Sequence, residues 1–490
     1  MNTAASSIPG LSIGNRRAVA WRWILAFFVI AAAGVLRLIG ARGDLWIDEI
    51  WTLRLIVPVR SVGEIFLDIG HDNNHHLNSI YLYLIGPDAS SLAQRGLAVV
   101  LGTATVAVAG LAAAPRGQAA AVFAMLLFGF AYPMVHYGSE ARGYAGLVLF
   151  LLFAVVFLER ALDRSDWRLR HGLGLAIGLG LLSHLTMVAG AAILAAWTIW
   201  MLWRRNGSLG QATAATLAIF RPALAWAFAV GACVAVAGLR HRFTLGGVTP
   251  FTPADFIDGY GGLIGLLLGA PDFVADVIPA WVWLVAAAAA IMLAAHAWHD
   301  RDGHVSLYVI AVIGWPAVMV LAATPNVQFA RYFLASGTFF LLLLADAFGD
   351  AWSRGGLPRI GAGAALGAML IGHAVALTSF FHDQRGHYND AIGYMARDGR
   401  FSYASDHEFR TRTVVDFFAG KCGIAADYVR AEDWCRSPPQ FMVIEDAGTA
   451  QHFAHLDFGT PQCALGFERG ASFASSRLSG RPWTIYRRAP

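Results

Sequence analysis

The sequence predicts a polytopic all-α membrane protein of about eleven transmembrane helices, followed by a small soluble α/β domain. Three observations predict it. Hydrophobic residues fill 57% of the 490 positions and charged residues 14%, and apolar runs of about twenty residues recur, the length that crosses a hydrocarbon core of roughly 30 Å. Arginines gather in alternate connections between those runs. From about residue 381 the composition changes, with more charge and short strand-like segments. The expected domains are therefore 1–380, transmembrane, and 381–490, soluble.

The first apolar run, about 21–39, follows Arg16, Arg17 and Arg22. It is long for a signal segment and no small-x-small cleavage site follows, so it reads as a retained anchor. Next comes a polar connection of about 41–90, where Val62, Ile65, Phe66 and Ile69 fall at helical spacing and predict a short amphipathic helix at an interface. Further spans are expected near 91–112, 119–137, 143–159, 171–186, 187–203, 217–239, 279–298, 305–323, 329–348 and 360–380. The stretch 171–203 is broken only by Ser183-His184; two helices turning there fit the arginine distribution better than one long tilted helix. A second long connection, about 240–278, contains a glycine-rich run from Gly259 to Gly269 that reads as a re-entrant or interfacial piece.

An odd number of spans puts the ends on opposite sides. With a cytoplasmic N-terminus, Arg116, Arg160, Arg164, Arg168, Arg170, Arg204, Arg205, Arg301, Arg354 and Arg359 all fall inside. The tail from about 381 onward is then outside. In the tail, 441–445 and 482–487 read as strands and 412–418 as helix. An oxidising compartment permits one disulfide among Cys422, Cys435 and Cys463, most simply Cys422 to Cys435, although three pairings are open. The net charge of +4 is spread through loops, which excludes nucleic acid as an evident partner.

With this topology the unusual polar residues sort to the outer face: Asp48 and Glu49; Asp72, Asn74, His75 and His76; Arg142 and Tyr144; His241 and Arg242; Arg331 and Tyr332. The span centres are nearly free of ionisable groups, unlike pumps and secondary transporters, which place such groups near the midplane. A carboxylate at the membrane surface can take the proton from an attacking hydroxyl, and Asp48 is the candidate base, with Glu49 beside it. An anionic leaving group needs fixed cations, and guanidinium grips phosphate through a planar fork. Lys421 is the chain's single lysine, so in the membrane portion arginine must serve.

These residues also match a family. Asp48-Glu49 after the first span, Asp72-Asn-Asn-His75-His76-Leu-Asn-Ser-Ile-Tyr81 before the second, Ser139-Glu-Ala-Arg142-Gly-Tyr144 and Arg331-Tyr332 together resemble the GT-C integral-membrane glycosyltransferases. The similarity is greatest to the group of protein O-mannosyltransferases and lipid A aminoarabinose transferases, and it covers about 21–380. The resemblance implies a polyprenyl-phosphate-linked sugar as donor, an envelope lipid, polysaccharide or protein as acceptor, and inversion at the anomeric carbon. It makes Asp48 the base or an acceptor-orienting acid, Arg142 and Arg331 the phosphate contacts, and Tyr144 and Tyr332 their packing partners. Where many members have His-x-Pro-Pro-Leu-Tyr, this chain has Asn74-His75-His76-Leu77-Asn78 without the prolines. Asp72, Asn74, His75 and His76 are acceptor-binding candidates, or, for the histidines with Glu49, a divalent-metal site, though no ligand spacing backs the metal. A transporter or flippase of lipid-linked glycans is the rival reading.

Overall fold

The computed structural model of the protein describes residues 13–489 apart from 70, 72, 242–245, 272–273, 275–276, 298–302, 446–452, 461–462 and 477. Asp72, Arg242 and Arg301 lie outside the described residues.

Among the described residues, eight helices are long and apolar enough to cross a membrane: Trp21–Gly40, Gly96–Arg116, Tyr144–Asp163, Met187–Asn206, Leu209–His241, His304–Leu321, Ala330–Arg354 and Gly356–Met395. Gln118–Phe130 and Ala280–Met292 are shorter apolar helices. The stretch 171–203 is two helices, Trp167–Ser183 and Met187–Asn206, turning at His184. The His184 backbone is extended, at φ −159° and ψ 130°, which ends the first helix.

The helix Leu334–Arg354 is buried over most of its length and forms the centre of the bundle. Leu209–His241 instead leaves Leu217, Leu224, Phe228 and Leu239 exposed, an apolar surface suited to hydrocarbon. Small residues let helices approach closely, as is common between membrane helices. A Cβ added to Gly174 would lie 2.5 Å from Pro222 Cβ, and one added to Gly146 would lie 2.3 Å from Ser183 Oγ.

The interfacial piece expected around 61–70 is the helix Val62–Leu67, capped by Ser61. The glycine-rich run is a broken helix through 253–267 whose Tyr260, Leu263 and Ile264 are buried in the bundle core.

Beyond Gln384 the chain forms a six-stranded mixed sheet, ordered β2-β1-β3-β6-β5-β4. Its strands are β1 Phe401–Ser405, β2 Ala426–Tyr428, β3 Phe441–Ile444, β4 His455–Thr460, β5 Cys463–Phe473 and β6 Trp483–Arg488. β1 runs parallel to β2 and β3; the β3–β6, β6–β5 and β5–β4 pairs are antiparallel. Sequence pattern marked only β3 and β6; β1 and β5 mix polar and apolar residues without strict alternation, while the alternation in β4, His455-Leu-Asp-Phe458, is short and left that strand unmarked. The disulfide joins Cys435 to Cys463, while Cys422 is free and exposed. This corrects the expected Cys422–Cys435 pair: Cys422 ends the helix Glu408–Cys422, whereas Cys463 starts β5 with its Cα 5.7 Å from that of Cys435.

The sheet region packs an apolar core of its own, apart from the bundle core, against the short helices Ile47–Ile56 and His76–Ile85. Ile50, Leu53 and Ile56, three residues apart on the helix Ile47–Ile56, join a buried cluster with Val414, Phe418, Val443 and Trp483. This packing fixes the rotation of that helix and leaves Asp48 and Thr52, four residues apart, on another face.

Candidate active site

Asp48 and Glu49 occupy the first turn of Ile47–Ile56, where the helix dipole favours carboxylates. The structure separates their roles. Glu49 is fully buried: Arg95 Nε donates to its Oε1 at 2.8 Å and Arg95 Nη2 to its Oε2 at 2.6 Å. The backbone N–H of Ala141 donates to Oε1 at 2.7 Å and that of Trp46 to Oε2 at 3.2 Å. Burial alone would raise this carboxyl, but Arg95 and the Ala141 N–H hold it below the usual range. Arg95 also collects the carbonyls of Ala41, Arg42, Gly43 and Asp44, and so ties the turn after the first span to the start of Gly96–Ala113. At Gly43 the backbone has φ +83°, and a Cβ would lie 1.5 Å from Gln384 Oε1, so only glycine fits.

Asp48 is half-buried and stands between two guanidinium groups, its Oδ2 3.8 Å from Arg142 Nη2 and 3.7 Å from Arg331 Nη2. At those distances the charges pair without short hydrogen bonds, and the trio carries one net positive charge. Arg142 is aimed by Nη1, which donates to the Asp48 carbonyl at 3.3 Å and to Thr52 Oγ1 at 3.2 Å. Arg331 is aimed by stacking. Its guanidinium lies 4.2 Å from the Phe329 ring centre, 5.7 Å from Trp46 and 5.8 Å from Tyr332. The Nε atoms of both arginines are buried without a hydrogen-bond partner among the described residues.

Tyr144 is buried, stacked on His184 with centroids 4.8 Å apart and edge-on to Tyr137 at 5.1 Å. Gly143 precedes it because a Cβ there would lie 1.6 Å from the Ser183 carbonyl oxygen. His75 Nδ1 lies 2.7 Å from Asn74 Oδ1 and Nε2 lies 3.0 Å from Thr52 Oγ1. Thr52 Oγ1 donates its one proton to the Asp48 carbonyl at 2.9 Å, so the His75 contact adds no second donation from that hydroxyl. Burial, with Arg142 close by, holds His75 well below the usual histidine range, and burial holds His76 down at about 4. Both are neutral near pH 7. His76 stacks flat on Phe66 at 5.0 Å.

Two cavities lie beside Arg331-Tyr332, one lined by each residue. One of about 580 Å³ is walled mainly by apolar groups, including Phe66, Val188, Trp315, Met319 and Tyr332, with His71, Asn73, Asn74 and His76 at its polar part. The other, about 490 Å³, is lined by Arg331, Tyr137, Asp258, Gln328 and Trp283. The structure therefore brings together Asp48, Arg142, Arg331, Tyr144, Tyr332 and His75, with Asn74 and His76 on the larger cavity. It does not bring Glu49 together with His75 and His76 as ligands, since Arg95 and two backbone amides take both Glu49 oxygens. No group of three or more His, Cys, Asp or Glu side chains able to hold a metal is found among the described residues.

Sequence reasoning missed Arg95 and Thr52. Arg95 had a signal: a charged residue directly before an apolar span, with two carboxylates at the end of the previous one. Thr52 had none beyond its four-residue spacing from Asp48.

Residues 77–226 match the family model described as dolichyl-phosphate-mannose-protein mannosyltransferase. The match contains Arg95, Arg142 and Tyr144 and ends before Arg331. It bears out the resemblance read from the sequence: the chain is similar to GT-C membrane glycosyltransferases. No curated protein matches the chain. Among solved structures, ArnT from Cupriavidus metallidurans in the apo state is similar over 94% of this chain and 99% of its own, at 14% identity and TM-score 0.49. ArnT from that organism bound to undecaprenyl phosphate covers the same shares at 15% identity and TM-score 0.40. The Archaeoglobus fulgidus oligosaccharyltransferase, in complex with Zn and sulfate, is similar over 85% of this chain and 68% of its own, at 12% identity and TM-score 0.45.

Proposed function

We propose that this protein is a membrane glycosyltransferase that moves a sugar from a polyprenyl-phosphate-linked donor to a cell-envelope acceptor, a lipid, polysaccharide or protein, at the periplasmic face of a bacterial inner membrane. The observation that carries the reading is the Asp48 carboxylate held between Arg142 and Arg331, with Arg331 lining one cavity and the adjacent Tyr332 another. In the proposed reaction the acceptor hydroxyl attacks the anomeric carbon as Asp48 takes its proton. The bond from that carbon to the phosphate oxygen breaks with inversion, and the two guanidinium groups take up the charge of the departing polyprenyl phosphate. One carboxylate suffices because the phosphate leaves without needing a proton.

Each other residue has a place in this reading. Tyr144 and Tyr332 pack against the arginines. The mainly apolar cavity suits a polyprenyl chain or a lipid acceptor, with Asn74, His75 and His76 on the acceptor side. Glu49 acts as a positioning residue through Arg95 and the Ala141 amide rather than on substrate. Residues 381–490 form a periplasmic α/β domain. Eleven spans follow if Gln118–Phe130, Trp167–Ser183 and Ala280–Ala297 also cross, which keeps consecutive helices running in opposite directions and the arginine-rich connections on the cytoplasmic side.

A transporter of lipid-linked glycans needs a polar path between the two faces. At the far ends of the helices a cavity of about 380 Å³ lies among Glu159, Arg160, Arg205 and His304. Between it and Asp48 the core is filled by Leu147, Leu151, Leu152 and Val155, which favours the transferase. Mass spectrometry of envelope glycolipids, polysaccharides and glycoproteins tests the reading in a deletion strain complemented with wild type or Asp48→Asn. One molecule should lose a single sugar and regain it only with wild type; an unchanged envelope would refute the proposal.

A further inference from the structure

The segment Gly138–Gly143, between the helices Tyr132–Tyr137 and Tyr144–Asp163, carries Arg142 on a chain with no regular helix. It is pinned from several sides. Ala141 gives its N–H to Glu49, and its carbonyl accepts from Asn78 Nδ2 at 2.7 Å. Arg385 Nη2 donates to Ser139 Oγ at 3.1 Å. The remaining anchor comes from the β5–β6 loop of the soluble region, where Ser479 Oγ donates to Glu140 Oε2 at 2.9 Å.

That hydroxyl is the sole hydrogen bond to the Glu140 carboxylate among the described residues; Oε1 has no partner. His136 Nε2 and Arg385 Nε stand farther off, 3.8 and 3.9 Å from Oε2. Ser479 is itself oriented, because His136 Nε2 lies 2.8 Å from its Oγ and Ser476 Oγ donates to its carbonyl at 2.8 Å. All of these side chains are buried. The loop is held close to the membrane helices, with Ser476 N–H donating to the Gln384 carbonyl at 2.8 Å. Gly480, at φ +86°, sits where a Cβ would lie 1.8 Å from the Arg385 carbonyl oxygen.

We propose that Ser479 is a positioning residue for the transfer site: by holding Glu140 it fixes the segment that aims Arg142 at the donor phosphate, so that docking of the soluble region completes the site. The inference rests on the proposed role of Arg142. Physically, a fully buried carboxylate stripped of its one hydrogen bond must turn toward Arg385 or take up a proton. Either change moves a residue whose carbonyl accepts the Arg142 N–H at 2.7 Å.

The test uses the purified full-length protein in detergent, with undecaprenyl phosphate as the probe, read by tryptophan fluorescence and by hydrogen exchange of the 138–143 amides. Ser479→Ala should weaken binding about tenfold or more, because small displacements of a gripping group carry large penalties. Ser479→Thr, which keeps the hydroxyl, should bind more tightly than Ser479→Ala, and adding Ser479→Ala to Glu140→Ala should cost nothing further. Exchange at 138–143 should quicken in Ser479→Ala while that of 47–56 stays unchanged. Wild-type affinity in Ser479→Ala, or additive losses in the double variant, would overturn the proposal. If wild type itself ignores undecaprenyl phosphate, the donor reading fails, and hydrogen exchange alone then decides the Ser479 role: unchanged exchange at 138–143 refutes it.

Discussion

Replacing Asp48 by Asn should move binding and turnover in opposite directions. The carboxylate stands 3.8 Å from Arg142 and 3.7 Å from Arg331, and unit charges about 4 Å apart interact by about 4 kcal/mol at an effective dielectric of 20. A donor phosphate gripped by the same two arginines comes within about 6 Å of Asp48, where repulsion between the anions is about 3 kcal/mol at that dielectric. Solvent reaches Asp48, whose side chain is 26% exposed, so the repulsion relieved by the amide is about 1–3 kcal/mol, roughly 5- to 150-fold in affinity. Asp48→Asn should therefore bind undecaprenyl phosphate more tightly than wild type. Turnover should fall by about 10²–10⁴, the usual loss when a placed general base is removed. Fluorescence titration of the purified variant measures the first effect, and transfer from a polyprenyl-phosphate sugar measures the second. Weaker binding would refute the shared fork, and near wild-type turnover would remove Asp48 from the chemistry.

Four further outcomes are expected. Arg142→Lys and Arg331→Lys keep the charge but lose the planar fork, and at 331 the stack on Phe329, so each should weaken carrier binding by about tenfold or more with little change in thermal unfolding; unchanged titrations in both would mean the phosphate binds elsewhere. Glu49→Gln leaves Arg95 buried without its counter-charge and should destabilise the fold by about 3 kcal/mol or more; thermal unfolding as in wild type would contradict this. Burial pushes the Glu140 carboxyl up from 4.5 to about 6, against Arg385 and Arg142 and with Glu49 and His136 also facing it. Its folded form thus holds a proton more tightly than the unfolded chain, a contribution to stability that is full below the unfolded value and lost as pH rises through about 6. The stability advantage of wild type over Glu140→Gln should shrink across that window, and a flat difference would refute the assignment. Non-reducing peptide mapping should recover Cys435 joined to Cys463, with Cys422 open to alkylation; closing a loop of 28 residues is worth about 3–4 kcal/mol, so Cys463→Ser should lower the unfolding temperature and Cys422→Ser should not.

Composition and periodicity by themselves determined that this chain crosses membranes, because the cost of leaving backbone groups unpaired in hydrocarbon forces long apolar helices that any window of about twenty residues reveals. Local chemistry also marked Asp48, Arg142 and Arg331, since charges beside apolar spans are costly and stand out one at a time. Which of two adjacent carboxylates stands between Arg142 and Arg331 was a different matter. Asp48 and Glu49 look alike in sequence, and only the approach of Arg95 and the Ala141 amide, 46 and 92 positions along the chain, removes Glu49 from the open fork. The disulfide was decided in the same way, by where β5 and the turn at Cys435 come together rather than by spacing. Ser479, a plain polar residue in a loop 339 positions from Glu140, gave no local signal at all. A hydrogen bond needs its partners within about 3 Å, and for residues this distant along the chain that condition is met by packing the C-terminal sheet region against the segment 138–143, which no local pattern encodes.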